Sequence, residues 1–375
     1  MTRTKHFSCR LPERPNAEYY RKQAKYLYRD FKAQQPIAKK RFSSLLASRS
    51  RASIALVTLS DAQTVIAREH GCSNWQAFLC LIHKYTHQNS TKLLRKQFAD
   101  ELYALKKINS PKVHSAFSEV PREEFIGAPP WRFPEFYWYP YLGHVDDRLE
   151  NIYQDRQVNS NQRFHLCNGI PSTQAKWIEA LNPVNAERVL HIGCDNGYYT
   201  AILAQLVGLK GELHFFDKNP DLKKIAKTNL AYLGQCFEVQ NIESIYKTHS
   251  FDVILINAGV RRFRSEWLDA LKDGGRILVS MIASYADIQM GYGETLLIKK
   301  TNNNFRASFI PAGDYSSDGY YSYYDENDSR EDKLIKDAFS RKGYKSVRSL
   351  RLDSHQCDDS CWLHQESYCL SKQAA

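Results

Sequence analysis

The stretch Arg188 to Gly234, RVLHIGCDNGYYTAILAQLVGLKGELHFFDKNPDLKKIAKTNLAYLG, leaves few folds open to this chain. Arg188 to Ile192 is a short apolar run that stops at a glycine turn, and Tyr198 to Val207 then carries apolar residues at helical spacing. That pattern predicts strand, tight loop, helix. A second strand, Glu212 to Phe216, stops at Asp217. Together these segments read as half of a nucleotide-binding βαβ unit, in which glycines let the backbone approach a ligand and an acid ending the next strand accepts hydrogen bonds from ribose hydroxyls. Asp217 follows Gly197 by 20 residues, about the separation such a ribose acid shows. The Gly-x-Gly-x-x-Gly spacing is absent; the loop reads Gly193-x-Asp195-x-Gly197.

That loop resembles the glycine loop of class I S-adenosylmethionine-dependent methyltransferases, usually Gly-x-Gly-x-Gly after an acidic residue. His191 stands where the family usually carries Glu or Asp, and Asp195 stands at the middle glycine. A loop glycine is replaceable where its φ is negative, so Asp195 is expected at negative φ. Leu271-Lys272-Asp273-Gly274-Gly275-Arg276 matches the Leu-Lys-x-Gly-Gly-Arg phrase of the same class. The resemblance implies Gly193, Asp195 and Gly197 as the loop binding S-adenosyl-L-methionine and Asp217 as its ribose partner.

A narrower resemblance covers roughly residues 92 to 371. Ser110-Pro111, then Val120-Pro121-Arg122-Glu123-Glu124-Phe125, are similar to the segment that precedes the cofactor domain of protein-L-isoaspartate O-methyltransferases. Leu166 to Leu181, LCNGIPSTQAKWIEAL, matches the substrate loop and first helix of that family, with Pro171 aligned and Gly169 and Ile170 in place of the usual serine and glutamine. Asn168 and Ser172 are left as the polar residues that contact substrate. Where the family commonly has Gly-Asp-Gly, this chain reads Gln240-Asn241-Ile242, which leaves Asn241 for adenine. The resemblance implies an α/β fold, a Rossmann-like class I methyltransferase sheet with flanking helices behind a small all-α module. It also implies O-methylation of a carboxylate in protein repair. A carboxylate is ionised near pH 7, so rate is expected from alignment and exclusion of water rather than from a strong base. That agrees with the absence of a His-Asp or Cys-His constellation.

Phe251 to Ile256, FDVILI, is expected as a buried strand, with Asn257 leaving its carboxyl end, where open α/β sheets bind ligands. No Asn-Pro-Pro-aromatic phrase follows, which counts against a base or amide nitrogen as acceptor. Two other readings stand beside the first: a methyltransferase-fold binding protein without activity, and an enzyme with another acceptor (a peptide natural product, a small acid or RNA). The expected divisions are a basic helical accessory module over 1–90, a helical lead-in and substrate-loop region over 91–185, a cofactor-binding Rossmann-like core over 186–300, and C-terminal strands and helix with a tyrosine-rich insertion over 301–375.

The net charge of +11 arises wholly in residues 1–90, which hold 16 Lys or Arg against 5 Asp or Glu. Such a block suits an acidic partner or nucleic acid, or is a solvated basic face. Helices are expected behind Asn16 as cap, from Pro36 to residue 49, from Leu59 to Glu69 with Ser60 as cap, and from Asn74 to Tyr85, followed by a polar linker over 86–93. In the first, Tyr19, Ala24, Leu27, Tyr28 and Phe31 are the expected apolar face. Residues 11 to 86 resemble a helical segment that precedes ankyrin repeats or enzymatic domains in some bacterial proteins, which implies an accessory or interaction module. With no long apolar run, no signal-peptide pattern and nine scattered cysteines, a cytoplasmic chain with reduced thiols and no membrane contact is expected.

Residues 126–167 are aromatic and proline-rich and are expected to pack against the sheet. Thr295 to Lys300 and Phe305 to Phe309 predict a hairpin, residues 312–332 an exposed insertion, and the tail a helix to Phe339 and a strand from Ser346 to Leu352. His355, Cys357, Cys361 and His364 are soft-metal ligand types, but His-x-Cys-x3-Cys-x2-His is no usual finger. No metal is expected there, and Cys361 to His364 and Tyr368 to Leu370 read as terminal strands.

Overall fold

Valines, isoleucines and leucines fill Val253–Ile256 without a break and Val189–Ile192 but for His191, and strands of that kind are stable only when both faces are covered. The computed structural model describes residues 11–12, 15–47, 57–135, 143–160, 167–246, 249–284, 291–302, 304–310 and 329–375. The chain divides into two units, residues 1–93 and 94–375.

The first unit is helical: α1 (Ala17–Lys32), α2 (Pro36–Leu46), α3 (Leu59–Glu69) and the first part of α4 (Trp75–Ala104). Asn16 caps α1 as expected, its side chain accepting from the N–H of Glu18 at 2.8 Å. The buried stripe is Tyr20, Ala24, Leu27 and Phe31. Tyr19 is 56% exposed, because the three- and four-residue rhythm that buries Ala24 and Leu27 falls on position 20. The cap of α3 is Thr58 rather than Ser60: Thr58 and Asp61 form a reciprocal capping box, so Ser60 is already inside the helix. Residues 86–93 are helical rather than a linker, and the division between units falls inside α4. That polar run holds neither glycine nor proline, so nothing in it interrupts the backbone bonds.

The second unit continues with α5 (Pro111–Glu119), β1 (Trp131–Pro134), β2 (Gly143–Asp146), α6 (Leu149–Ile152), β3 (Val158–Ser160), β4 (Cys167–Asn168) and α7 (Pro171–Leu181). Strands β1 to β4 form a small sheet in the order β2-β1-β3-β4. Trp131 and Phe133 of the aromatic stretch are buried in the main core; residues 136–142 of that stretch lie outside the described residues. Next come β5 (Arg188–Ile192), α8 (Tyr198–Val207), β6 (Glu212–Phe216), α9 (Pro220–Asn229), β7 (Cys236–Glu238), β8 (Phe251–Val260), α10 (Glu266–Ala270) and β9 (Leu271–Ser284). The chain closes with β10 (Gly291–Thr301), β11 (Asn304–Ile310), α11 (Ser329–Ser340), β12 (Ser349–Arg351), β13 (Cys361–His364) and β14 (Cys369–Ser371). The hairpin β10-β11 and the terminal strands are those expected, and most of the tyrosine-rich insertion, 311–328, lies outside the described residues.

The ten-stranded sheet runs β13-β14-β12-β11-β10-β9-β8-β5-β6-β7. Its β7-β6-β5-β8-β9 part is parallel, and the rest is antiparallel. Side chains alternate between its two faces: Val189, Val253 and Leu255 enter one core cluster and Leu190, Ile254 and Ile256 the other. The strand order reverses at β5, between β6 and β8, and the carboxyl ends there form the crevice in which open α/β sheets take ligands. Arg276 of the Gly-Gly-Arg phrase fixes α7 beneath that crevice. Its Nε donates to the carbonyl of Leu181 at 2.6 Å and its Nη2 to that of Asn182 at 2.7 Å, a cation at a helix carboxyl end, and it pairs with Glu187.

Candidate functional site

The loop from β5 to α8 has three residues at positive φ: Gly193 at 74°, Asp195 at 51° and Gly197 at 89°. Asp195 was expected at negative φ and is left-handed instead. Asp is among the few residues whose short polar side chain tolerates that region, so the family's middle glycine is replaced by a residue suited to the same backbone. Gly193 and Cys194 donate to the carbonyl of Phe216 at 2.9 and 3.3 Å. A Cβ on Gly193 would stand 2.8 Å from the carbonyl oxygen of Asn257, which lies within β8 and not past its end as expected, since the strand runs on to Val260, so the loop lies directly on β8.

Gly193→Ala combines that clash with a left-handed φ, and is expected to destabilise the second unit by about 2–4 kcal/mol. Urea denaturation checks it; a loss under about 0.5 kcal/mol would mean that the loop is free to move off β8.

Asp217, at the end of β6, is 8% exposed. Its Oδ2 accepts from the N–H of Asp195 at 2.9 Å and its Oδ1 from that of Asn219 at 2.9 Å. Burial pushes its carboxyl above the ordinary value, while these two N–H groups pull it down. Each carboxylate oxygen keeps a further lone pair for a ligand hydroxyl.

The sequence-predicted residues Gly193, Asp195, Gly197, Asp217 and Asn257 are thus brought together. Asn257 Oδ1 accepts from Gln174 Nε2 at 2.8 Å, which ties β8 to α7, and Tyr199 donates its hydroxyl to the Gly169 carbonyl at 2.7 Å, which ties the turn between β4 and α7 to α8. Ser172 is buried in the first turn of α7, where its N–H donates to Asp155 Oδ1 at 2.8 Å. Asn168 is in β4, in register with Val158. Asn241, past β7, is held in a local turn, its Oδ1 accepting from the N–H of Glu243 at 3.0 Å.

Sequence reasoning missed Gln174, Tyr199, Asp155 and Asn196. Asn196 Oδ1 accepts from the N–H of Tyr198 at 3.0 Å, and its carbonyl accepts from Asn229 Nδ2 at 2.9 Å. Asn229 also reaches the carbonyl of Phe125. Asn196 Nδ2 and Gln174 Oε1 are buried without a hydrogen-bond partner among the described residues, one on the loop and one on the helix facing it. Buried polar atoms of this kind are rare unless something else satisfies them.

His191 is fully buried, and its Nδ1 is 2.9 Å from Thr200 Oγ1 of α8. Burial lowers its pKa to about 3, so the imidazole is neutral and joins β5 to α8 instead of offering a charge to the crevice. Its folded value lies below the unfolded value of about 6.5, so the unfolded chain takes up the proton first and stability falls as pH drops from about 6.5 towards 3. Wild type is expected to lose about 2 kcal/mol relative to His191→Gln between pH 7 and pH 5. Denaturation midpoints at the two pH values test this, and parallel profiles would refute it.

Comparison with known proteins gives a consistent result. The family model described as Protein-L-isoaspartate(D-aspartate) O-methyltransferase (PCMT) matches residues 94–315. A Protein-L-isoaspartate O-methyltransferase of Thermotoga maritima is 30% identical over 218 residues, covering 54% of this chain and 62% of that relative's length. The Protein-L-isoaspartate O-methyltransferase 1 of Archaeoglobus fulgidus is 29% identical, covering 50% of this chain and 77% of its own. A solved protein-L-isoaspartate O-methyltransferase superposes with a TM-score of 0.48 at 20% identity, covering 69% of this chain and 72% of that one.

Proposed function

The chain belongs to the protein-L-isoaspartate(D-aspartate) O-methyltransferase family, and from that premise we propose that it transfers the methyl group of S-adenosyl-L-methionine to a carboxylate of a protein or peptide. The observation that carries this reading is the clamp at the carboxyl ends of β5 and β6, where Asp217 holds the left-handed loop by the Asp195 N–H and keeps lone pairs for a diol. The cofactor suits this site: Gly193 admits no side chain, and the loop presents a buried amide nitrogen, Asn196 Nδ2, with no partner of its own.

When bound, the cofactor supplies a sulfonium methyl group for in-line displacement. Asp217 would hold its ribose, Gly193, Asp195 and Gly197 would line its approach, and Asn241 and Asn257 would border it. Asn168 at the end of β4 and Ser172 at the start of α7, on either side of the turn tethered by Tyr199, would orient the acceptor. An ionised carboxylate needs no general base, so the work of these residues is to align the reactants and keep water out. A neutral His191 beneath the loop adds no competing charge.

The test is methyl transfer from labelled S-adenosyl-L-methionine to two peptides identical except for isoaspartyl or aspartyl linkage, with base-labile label as readout. Label on the isoaspartyl peptide alone is the expected result. Label on neither peptide, with cofactor bound, would overturn the carboxylate assignment and favour another acceptor; failure to bind cofactor would favour the inactive fold. Among the described residues no helix is long and apolar enough to cross a membrane; a cytoplasmic enzyme is part of this reading, and the free thiols among the described residues, such as Cys72, Cys194 and Cys236, support it. The basic residues 1–90 would recruit an acidic partner or nucleic acid, through binding that weakens steeply with salt.

A further inference from the structure

The terminal strands do more than close the sheet. β13 and β14 pair so that His364 stands opposite Cys369, and the loop ahead of β13 returns His355 to the same place. His355 Nε2 is 3.5 Å from Cys361 Sγ, and His364 Nδ1 is 3.9 Å from the same sulfur. With Cys369 Sγ added, one ligand atom from each of the four residues lies within 4.8 Å of every other. The rings of His355 and His364 meet edge to face, 4.7 Å between centroids.

We propose that His355, Cys361, His364 and Cys369 form a structural zinc site. Tetrahedral zinc with bonds of about 2.0–2.3 Å sets its ligand atoms about 3.3–3.8 Å apart, close to the separations already present around Cys361. The surroundings are arranged for metal ligands. His355 Nδ1 is 2.9 Å from the Asp353 carbonyl, so the proton resides on Nδ1 and the Nε2 lone pair faces the cluster, the usual outer support of a ligating imidazole. The N–H of Asp358 points at Cys361 Sγ at 3.5 Å, a contact that favours a thiolate. Two thiolates cancel the charge of Zn²⁺. On binding, two S–H bonds are lost, two S–Zn bonds form, and both protons leave to solvent.

Four protein ligands leave no open position, so the ion would be structural rather than catalytic. β13 is the edge of the ten-stranded sheet, and its register shifts between Cys361 and Leu363. A metal there would pin this irregular edge and the 353–360 loop to β14. The site is seven strand spacings from β5, about 34 Å at the usual strand separation, well away from the proposed methyl-transfer crevice. The spacing His-x5-Cys-x2-His-x4-Cys concealed it. The pairing of β13 with β14 brings in Cys369, whereas Cys357 is exposed and falls outside the four.

The experiment uses the full-length chain without a histidine tag, purified, dialysed and assayed for metal by mass spectrometry, then exchanged with cobalt(II). The expected result is one zinc per chain, and a cobalt form with a thiolate-to-cobalt charge-transfer band and the strong visible bands of a tetrahedral ion. Both features should vanish in Cys361→Ser and Cys369→Ser and persist in Cys357→Ser. A cysteine variant that fails to fold would lose metal trivially, so the wild-type cobalt spectrum decides by itself. A wild-type chain with no zinc and only a weak octahedral cobalt spectrum, or a peptide map showing Cys361 disulfide-bonded to Cys369, overturns the proposal.

Discussion

Asp217→Ala is expected to weaken binding of S-adenosyl-L-methionine by a hundredfold or more. Two hydroxyl hydrogen bonds to a carboxylate are worth about 1.5–3 kcal/mol each, and about 1.4 kcal/mol is tenfold in affinity. The variant also releases the N–H groups of Asp195 and Asn219, so the left-handed turn at Asp195 loses its anchor as its ligand loses a partner. Isothermal calorimetry on wild type, Asp217→Ala and Asp217→Asn separates the two effects. Asn keeps one carbonyl acceptor and should recover part of the affinity, and circular dichroism checks that the fold is retained. Unchanged affinity in Asp217→Ala would remove Asp217 from the cofactor site.

Arg122→Ala is expected to cost about 3–5 kcal/mol of stability, because it empties the place of a large, fully buried side chain and strands the carbonyls that side chain holds. Arg122 belongs to the Val-Pro-Arg-Glu-Glu-Phe phrase and is fully buried. Its Nη1 donates to the carbonyls of Ile152 and Gln154 at 2.7 and 3.1 Å, and its Nη2 to that of Arg156 at 3.0 Å. The guanidinium also lies about 6 Å from the rings of Phe98 and Tyr198. Removing it leaves the buried carbonyl of Ile152 and the part-buried carbonyls of Gln154 and Arg156 without this donor, and a cavity under the 152–156 turn. That turn carries Asp155, whose Oδ1 accepts from the N–H of Ser172 in the first turn of α7. Lys cannot reproduce the planar fork, so Arg122→Lys should recover little. Urea midpoints of the three proteins measure this, and a loss below about 1 kcal/mol would show that solvent replaces the guanidinium at no great cost.

The parts legible in the sequence are those written in short-range periodicity. Asn16, Pro36 and Gly71 mark helix ends through their own backbone preferences, and the β10-β11 hairpin follows from alternation on either side of an asparagine turn. Where a neighbour competes, local reading slips by a residue: Thr58 outdoes Ser60 as cap because Asp61 completes a capping box with it, and Tyr20 takes the buried place given to Tyr19. The missed residues of the candidate site act through partners distant in sequence. Gln174 meets Asn257 across 83 residues and Asn229 meets Phe125 across 104.

By itself, then, the sequence determined the strand-loop-helix at Arg188 to Val207, the acid ending β6, the Leu-Lys-x-Gly-Gly-Arg turn and hence the parallel half of the sheet. Each depends on side-chain spacing or on backbone freedom within a few residues. Only the tertiary structure decided the positive φ of Asp195, the neutral state of buried His191, the three carbonyls around Arg122 and the grouping of His355, Cys361, His364 and Cys369. A dihedral angle that packing imposes, a proton that burial expels and a cluster that strand pairing assembles are properties of contacts between segments far apart in the chain, and local pattern carries no record of them.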